Sequence, residues 1–358
     1  MKRPLLICLA ALLALALLPA HAQEGTLIPG ALQRDLPIVV VGERAETPGI
    51  SLTTGLPTSE AFVPIVVVLD NEAPALPHWG VQDADVIYQV PNAGGGATKL
   101  LALFAYNAPE LAGGVRSART PFVDVALSWS AGFSYCGSPG AEKNEAANVP
   151  KLVRESGLNR AGLNFDLIGN NNYSSLMPGK APPHNLSAHV AQMRQILVDA
   201  GHVFAPRGFL FSSAPLTSGV PASGITILHY GETKKPRSYE ESDATFTYDE
   251  ARNAYLRSTI RGPYVDKNAP DTPIPFANVI ILRTPFSYEH GNYVVLNEMV
   301  GSGAADIFTN GRYIAGGWTR EQQDAPTIFL NDQGGEMALA PGKTFIVITN
   351  DVTEVTYR

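Results

Sequence analysis

Two arginines close to a glycine turn are the residues of this chain best suited to hold a ligand. Arg116-Ser117-Ala118-Arg119 follows Gly113-Gly114, and Pro121 lies near the start of a predicted helix. A guanidinium binds a carboxylate or phosphate through two parallel hydrogen bonds, and a helix N-terminus also favours anions. The pattern predicts an anion site, with structural ion pairs as the alternative. The carboxylates that could form such pairs are Asp70, Asp85 and Asp124.

Further candidates lie where predicted strands and loops end. Asp70-Asn71 follows an apolar run and therefore occupies a strand's carboxyl end, although both residue types also cap turns. His184-Asn185 follows two prolines, so His184 could act as a general base, donate to a bound acid or satisfy a loop carbonyl. We assign no catalytic residue. The predicted ligand-binding residues are Asp70, Asn71, Arg116, Ser117, Arg119, Ser138, His184 and Asn185.

Several familiar chemistries are disfavoured by the sequence. Cys136 lies in an apolar run, where a thiol is usually inert, and Ser138-Pro139 is typical of a turn. Gly94-Gly95-Gly96 lacks the following Lys-Ser or Lys-Thr of a phosphate-binding loop, and it predicts a hairpin or bulge instead. His184 and His189 are five residues apart, which does not place both on one helical face. We predict no metal and no cofactor.

The chain begins with the features of an exported protein. A basic start, an apolar run at 5–18 and a cleavage site at Ala22 predict a secretory signal, which is too short to cross a bilayer. The mature chain, with no predicted membrane span, would be periplasmic, in the cell envelope or extracellular. Removing the two basic residues of the signal changes the net charge from −7 to −9, which argues against nucleic acid as a partner. Cys136 is then the only cysteine, so no intramolecular disulfide is expected.

Composition and periodicity predict an α+β fold. A mixed α/β N-terminal domain would be followed by a mainly antiparallel, β-rich C-terminal domain. The predicted segments are a signal at 1–22, a Pro/Gly-rich tether or loosely packed arm at 23–61 that contains one strand at 36–41, the N-terminal domain at 62–211, a linker at 212–224 and the C-terminal domain at 225–352.

Individual elements follow from apolar runs and turn residues. Strands are predicted in the first half at 62–69, 85–90, 99–106 and 133–136, and helices at 119–129, 142–155 and 187–200. In the second half, Asn310-Gly311 predicts a tight hairpin because both positions of such a turn need positive φ.

Short motifs also occur in a specific order along the chain. Leu69-Asp70-Asn71, Gly114-Val115-Arg116-Ser117 and Ala181-Pro182-Pro183-His184 lie in the first half, and Gly317-Trp318 and Pro341-Gly342-Lys343-Thr344 in the second. Over about residues 62–350 the succession resembles the YerB-like lipoproteins, a two-domain bacterial envelope family of unknown function. The resemblance implies an envelope protein with two linked domains and supplies no substrate.

The chain departs from the pattern of that family at several positions. Family members carry acidic side chains near the positions of Gln89 and Asn92 and a histidine near Ser134, and these residues are neutral here. Family members are usually lipoproteins, whereas this chain begins with a plain signal. Because Gln89 and Asn92 are neutral, the chain lacks paired carboxylates for acid–base catalysis at these positions.

Three functions remain open from the sequence. We favour a non-catalytic envelope protein that binds an anionic or polar ligand, such as a cell-wall fragment or a peptide carboxylate, in the N-terminal domain. The first alternative is a hydrolase or transferase acting on envelope polymer, with His184 as base. The second is a structural or assembly factor whose β-rich second domain docks a partner.

Overall fold

The protein is mainly built of β-strands. The computed structural model describes residues 25–36, 47–140, 145–230, 239–289, 293–295 and 299–358, so the predicted signal and most of the strand predicted at 36–41 lie outside it. These ranges contain three α-helices, and all three lie before the predicted linker at 212–224. The predicted mixed α/β N-terminal domain is therefore not confirmed, because strands dominate both halves. The helices are α1 (Thr120–Ser128), α2 (Val149–Glu155) and α3 (Val190–Asp199).

Most strands are short. Those of the first half are β1 (Thr26–Ile28), β2 (Ile65–Leu69), β3 (Val86–Ala93), β4 (Ala97–Phe104), β5 (Ala112–Gly113), β6 (Gly132–Tyr135), β7 (Asn164–Asp166), β8 (Ser174–Leu176), β9 (Leu186–Ala188) and β10 (Leu210–Phe211). Those of the second half are β11 (Val220–Pro221), β12 (Gly224–Leu228), β13 (Ala244–Asp249), β14 (Ala254–Thr259), β15 (Gly262–Pro263), β16 (Val265–Asp266), β17 (Ala269–Pro273), β18 (Pro275–Phe276), β19 (Asn278–Arg283), β20 (Ser287–Glu289), β21 (Tyr293–Val295), β22 (Gly301–Thr309), β23 (Arg312–Arg320), β24 (Ile328–Leu330), β25 (Ala338–Leu339), β26 (Thr344–Thr349) and β27 (Glu354–Tyr357).

One large sheet passes through both halves of the chain. Its main strand order is β11-β23-β22-β19-β26-β3-β4-β2-β6-β7, and the halves join where β26 pairs with β3 in parallel. A second sheet has the order β1-β27-β12-β13-β14-β15, with β18 beside β14. The predicted domain and linker boundaries stay a prediction. The large sheet contains strands from both sides of the predicted linker, so its hydrogen bonding marks no boundary there.

The large sheet is covered on both faces, which explains why its central strands are almost wholly apolar. All five residues of β2 are buried. In β3, Tyr88 accepts a hydrogen bond from Trp129 at the end of α1, while Gln89 contacts Arg257 of the second sheet. Neighbouring residues of a strand point to opposite faces. The helices and the second sheet therefore pack on opposite sides of β3.

Two sequence predictions about turns are confirmed. Asn310 and Gly311 have φ values of 51° and 65° and connect β22 to β23, with Thr309 opposite Arg312. A turn with positive φ at both central residues matches the right-handed twist of the paired strands. The glycine run also forms the turn between the antiparallel strands β3 and β4, with Gly95 and Gly96 at positive φ.

The predicted helices exist, with local corrections. Helix α2 is shorter than predicted and begins after Asn148, whose side chain accepts the N–H of Lys151 and so caps the first turn. Residues 142–144 of that prediction lie outside the described ranges. In α3, Val190, Met193 and Leu197 are buried, as expected for one face of a helix.

The segment predicted as a tether or loosely packed arm is, in its described part, packed against the second sheet and the large sheet. Strand β1 pairs with β27. The Arg34 guanidinium donates to the carbonyl oxygens of Ala305 at 2.6 Å and Gly316 at 2.8 Å, and it pairs with the buried carboxylate of Asp306. A segment rich in Pro and Gly can still be fixed when backbone pairing and a buried ion pair hold it.

Arg257 is fully buried between the two sheets, and no carboxylate in the described part of the chain pairs with it. Its Nη2 donates to Oε1 of Gln89 at 3.3 Å. The guanidinium carbon lies 5.1 Å and 5.2 Å from the ring centres of Tyr264 and Phe345. Burial lowers the pKa of Arg257 to about 10. Relief of this unpaired charge should offset the lost contacts in Arg257→Met. We expect its free energy of unfolding to stay within about 1 kcal/mol of wild type in urea denaturation. A loss above about 3 kcal/mol would contradict this account.

Candidate functional site

The site forms at the carboxyl end of β2, where a second segment runs alongside the strand. The N–H of Asp70 donates to O of Gly114 at 2.9 Å, and the N–H of Arg116 donates to O of Val68 at 3.1 Å. A Cβ at Gly114 would lie 2.5 Å from O of His184. Glycine is therefore needed at this position, because only its lack of a side chain lets the loop that carries His184 approach.

Asp70 is the centre of the cluster, and its side chain is completely buried. Its Oδ2 lies 2.6 Å from Nδ1 of His184 and 3.1 Å from Nε of Arg116, the latter an ion pair without hydrogen-bond geometry. Its Oδ1 pairs with Nζ of Lys99, which also lies 3.0 Å from Oε1 of Glu72. The structure thus brings together three of the predicted residues, Asp70, Arg116 and His184.

The environment of Asp70 keeps it ionised. Burial alone would raise its pKa, but Lys99, His184 and Arg116 outweigh burial and lower the pKa below the usual range. An ionised carboxylate can only accept hydrogen bonds, so Nδ1 of His184 carries a proton and donates to it. The other ring nitrogen, Nε2, is then the atom that His184 can offer to a ligand. The His184 side chain is 14% exposed.

Arg119 differs from Arg116, because no carboxylate in the described ranges pairs with it. Its Nη1 donates to O of Ala118 at 2.8 Å, its guanidinium carbon lies 5.4 Å from the centre of the Tyr293 ring, and its Nε is buried without a partner. Burial lowers its pKa. One arginine of the predicted pair is therefore neutralised by Asp70, and the other is not.

The two other carboxylates considered as partners for these arginines are engaged elsewhere. Oδ2 of Asp85 accepts the N–H groups of Ala105 and Tyr106 at 2.9 and 3.1 Å. Asp124 forms a buried ion pair of 2.7 Å with Arg320. The alternative of structural ion pairs thus holds for Arg116 with Asp70 and does not extend to Arg119.

The local charge balance favours an anion. Asp70 and Glu72 carry two negative charges, whereas Lys99, Arg116 and Arg119 carry three positive charges. Asp70, Glu72 and His184 each place one potential metal ligand within 4.8 Å of the others. The ammonium of Lys99 already bridges both carboxylates, so a divalent cation there would face strong repulsion.

Other predicted residues do not join the cluster. Asn71 is buried and turns away, with Nδ2 donating to Oγ1 of Thr98 at 2.9 Å. Among the described residues, no side chain of the cluster hydrogen-bonds those of Ser117, Ser138 and Asn185, which are all half-buried. Burial raises the pKa of the Cys136 thiol, which suits an inert cysteine.

Sequence reasoning missed Lys99, Glu72 and His78. His78 is fully buried, and its Nε2 lies 2.6 Å from O of Asp70, a carbonyl that can only accept. Burial lowers its pKa to about 4, so the ring is neutral and Nδ1 accepts from the hydroxyl of Tyr264 at 3.3 Å. Lys99 had one available signal, since a lone charge inside the apolar run of β4 needs a buried partner.

A shallow depression at the β3–β4 turn is separate from this site. It includes none of the predicted ligand-binding residues. Its polar and aromatic lining is Thr98, His229, Tyr230, Phe286, Tyr288 and Thr349.

Comparison with known proteins gives one consistent result. Two models of one family match the chain, the N-terminal domain of "Protein of unknown function (DUF3048)" at 53–202 and its C-terminal domain at 235–346. The "Putative lipoprotein YerB" of Bacillus subtilis (strain 168) is 26% identical over 309 residues, which cover 84% of this chain and 86% of the relative. A crystal structure of the YerB protein from Bacillus subtilis matches with a TM-score of 0.69 and 22% identity, over 86% of this chain and 99% of that chain. The fold is therefore shared.

The matches place the cluster within the first family domain and Tyr264 within the second. In the part of the chain that the structure covers, no helix is long and apolar enough to span a bilayer.

Proposed function

The chain belongs to the DUF3048 family of proteins of unknown function, and on this premise we propose that it binds an anionic ligand in the cell envelope. The observation that carries the proposal is Arg119, a largely buried guanidinium that pairs with no carboxylate of the described residues, beside Arg116 and a cluster with surplus positive charge. Similarity to a protein named as a lipoprotein supports an envelope location.

The available hydrogen-bond donors define the class of ligand. In the described ranges, Nε and Nη2 of Arg119 donate to no protein group, and the side chain of Arg116 is 27% exposed. Two guanidinium groups with free N–H bonds match the two oxygens of a carboxylate or phosphate. His184 could add a hydrogen bond from Nε2 when both of its ring nitrogens carry a proton. A cell-wall fragment or a peptide carboxylate has the required chemistry.

Arg119→Gln should weaken the binding of a carboxylate-bearing wall fragment without unfolding the protein. Loss of a charge-assisted contact costs about 1.5–3 kcal/mol, which is roughly a 10- to 100-fold weaker Kd. Because no ion pair is broken, we expect the free energy of unfolding to change by less than about 1 kcal/mol. Calorimetry with muramyl dipeptide checks the affinity, and urea denaturation checks the stability.

Arg160→Gln is the matched control, because Arg160 is exposed and lies outside the cluster. It should bind muramyl dipeptide as the wild type does. Equal affinities for wild type and Arg119→Gln, or no binding by the wild type, would contradict the proposed site.

A specific contact also supports a second function, hydrolysis or group transfer on an envelope polymer. The Asp70 carboxylate holds Nδ1 of His184 at 2.6 Å, which fixes the ring and directs Nε2 away from the carboxylate. In the neutral ring, Nε2 can accept a proton from water or from a hydroxyl group. The test is turnover of labelled wall polymer by the wild type and by His184→Ala. Loss of turnover in His184→Ala, together with loss of the rise in the wild-type pH–rate profile, would favour the enzyme over the binding protein.

A further inference from the structure

A second group of cations surrounds a partly exposed tryptophan beside the cluster. Nζ of Lys180 and Nζ of Lys267 lie 5.5 Å and 5.9 Å from the centre of the Trp79 ring. Lys180 precedes the loop that carries His184, and Lys267 is exposed in the turn between β16 and β17. We call Trp79, Lys180 and Lys267 the lysine–tryptophan group.

Backbone hydrogen bonds fix this group in place. The N–H of Trp79 donates to O of Gly113 at 2.9 Å, and the N–H of Lys267 donates to O of His78 at 2.7 Å. Nζ of Lys180 donates to the carbonyl oxygens of Pro74 and Leu76 at 3.0 and 2.8 Å. The positions of both lysine residues are therefore set by the fold, and the Lys180 ammonium is held directly.

The charges of this group are not balanced. Burial and the neighbouring Lys267 both lower the pKa of Lys180. Within the described ranges, neither ammonium forms an ion pair with a carboxylate. Contact with an exposed aromatic ring contributes only about 0.5–1 kcal/mol, which is comparable to the repulsion between two nearby surface charges. An anion that contacts both ammonium groups would offset that repulsion.

The lysine–tryptophan group lies close to the arginine site. Trp79 pairs with Gly113, which is three residues before Arg116, and Lys180 is four residues before His184. An extended chain advances at most about 3.5 Å per residue, so the Cα atoms of Lys180 and His184 lie no more than about 15 Å apart. A single extended ligand can therefore contact both.

We propose that the lysine–tryptophan group is a second anion subsite, and that the ligand is an acidic polysaccharide with repeated carboxylate or phosphate groups. The inference rests on the proposed function, because the arginine site takes the first anionic group and this group takes another. Lys267 belongs to the second family domain, so the ligand surface spans both domains. The indole of Trp79 offers an apolar surface beside the bound charges, which suits a sugar ring.

The test compares single and repeated anions on four proteins and uses Trp79→Phe as a fifth, for the fluorescence signal only. Galacturonate and an oligogalacturonate supply carboxylates, and inorganic phosphate and tripolyphosphate supply phosphates. The proteins are wild type, Lys267→Gln, Arg119→Gln and Lys151→Gln. Lys151 has a side chain that is 41% exposed and, among the described residues, forms an ion pair with Glu145 alone, so it serves as the matched control. Kd is measured by calorimetry, and the fluorescence of Trp79 reports contact at the second subsite.

We expect the wild type and Lys151→Gln to bind at least one oligomer about tenfold more tightly than its monomer. Lys267→Gln should weaken oligomer binding by about fivefold and leave monomer binding unchanged, since an exposed charge contact contributes up to about 1 kcal/mol. Arg119→Gln should weaken the binding of both. The fluorescence change on adding oligomer should disappear in Trp79→Phe. Whichever oligomer binds identifies the acidic group.

Two results would overturn the inference in different ways. If Lys267→Gln binds the oligomers as the wild type does while Arg119→Gln does not, the arginine site stands and the second subsite is wrong. If neither monomers nor oligomers bind the wild type, the proposed function itself fails, and the second subsite fails with it.

Discussion

Asp70→Asn is expected to lower the free energy of unfolding by about 3–5 kcal/mol, as when one partner of a buried ion pair is removed. The neutral amide would leave Arg116 without its counter-charge and Lys99 with only Glu72. Its NH2 group would also face a donor, either Lys99 or His184. Urea denaturation of both proteins measures the loss.

Glu72→Gln is the control for this prediction. Its carboxylate also pairs with Lys99, but the Glu72 side chain is 46% exposed, so the loss should be below about 1 kcal/mol. Equal losses for Asp70→Asn and Glu72→Gln would show that Asp70 does not organise the cluster.

The contribution of Asp70 should also depend on pH. Its pKa is lower in the folded protein than in the unfolded chain, so protons bind more strongly to the unfolded state. The stability difference between wild type and Asp70→Asn should therefore be fully present above about pH 4 and fall as the pH drops through the folded pKa. Denaturation between pH 2 and 7 checks the sign. A difference that grows towards low pH would contradict the assignment.

Asp306→Asn is expected to cost a similar amount, about 3–5 kcal/mol, for a structural reason. Oδ2 of Asp306 lies 3.0 Å from Nε of Arg283, and both side chains are completely buried. Its Oδ1 pairs with Arg34 of the N-terminal arm and accepts from the hydroxyl of Tyr313 at 3.1 Å. The substitution would leave Arg283 charged inside the core and weaken the attachment of the arm.

Hydrogen exchange separates these two effects. We expect faster exchange of the backbone amides of β1 in Asp306→Asn, together with the loss of global stability. Asp249→Asn is the control, because Asp249 pairs with Arg252 at the surface and should cost less than about 1 kcal/mol. A loss below about 1 kcal/mol for Asp306→Asn would mean that the arm is held by its backbone pairing alone.

Local sequence patterns predicted many of the main elements. Strands β2 and β6 overlap the apolar runs that predicted strands at 62–69 and 133–136, and α1 follows from helical spacing after Pro121. The pairing of β26 with β3 is not encoded locally, because it joins residues from opposite ends of the chain. Two-residue strands such as β5 carry no periodicity that could reveal them.

The sequence predicted several residues of the candidate site, but it did not predict which of them form ion pairs with one another. Asp70, Arg116 and His184 stood out because each is a polar residue beside a turn or loop. Which cation would neutralise Asp70 depends on tertiary contacts such as the one that brings Lys99 from β4 to the end of β2. Whether an arginine keeps its charge free for a ligand therefore required the structure.

The most direct test of the account observes Arg119 itself. In 15N-labelled protein, the Nε–Hε resonance of each arginine can be followed while muramyl dipeptide, oligogalacturonate or tripolyphosphate is added. We expect the Arg119 resonance to shift and saturate with the same Kd that calorimetry gives, while that of Arg160 stays unchanged. An Arg119 resonance that does not move while one of these probes binds, or saturable binding by none of the probes, would contradict the claim that this guanidinium receives an anion.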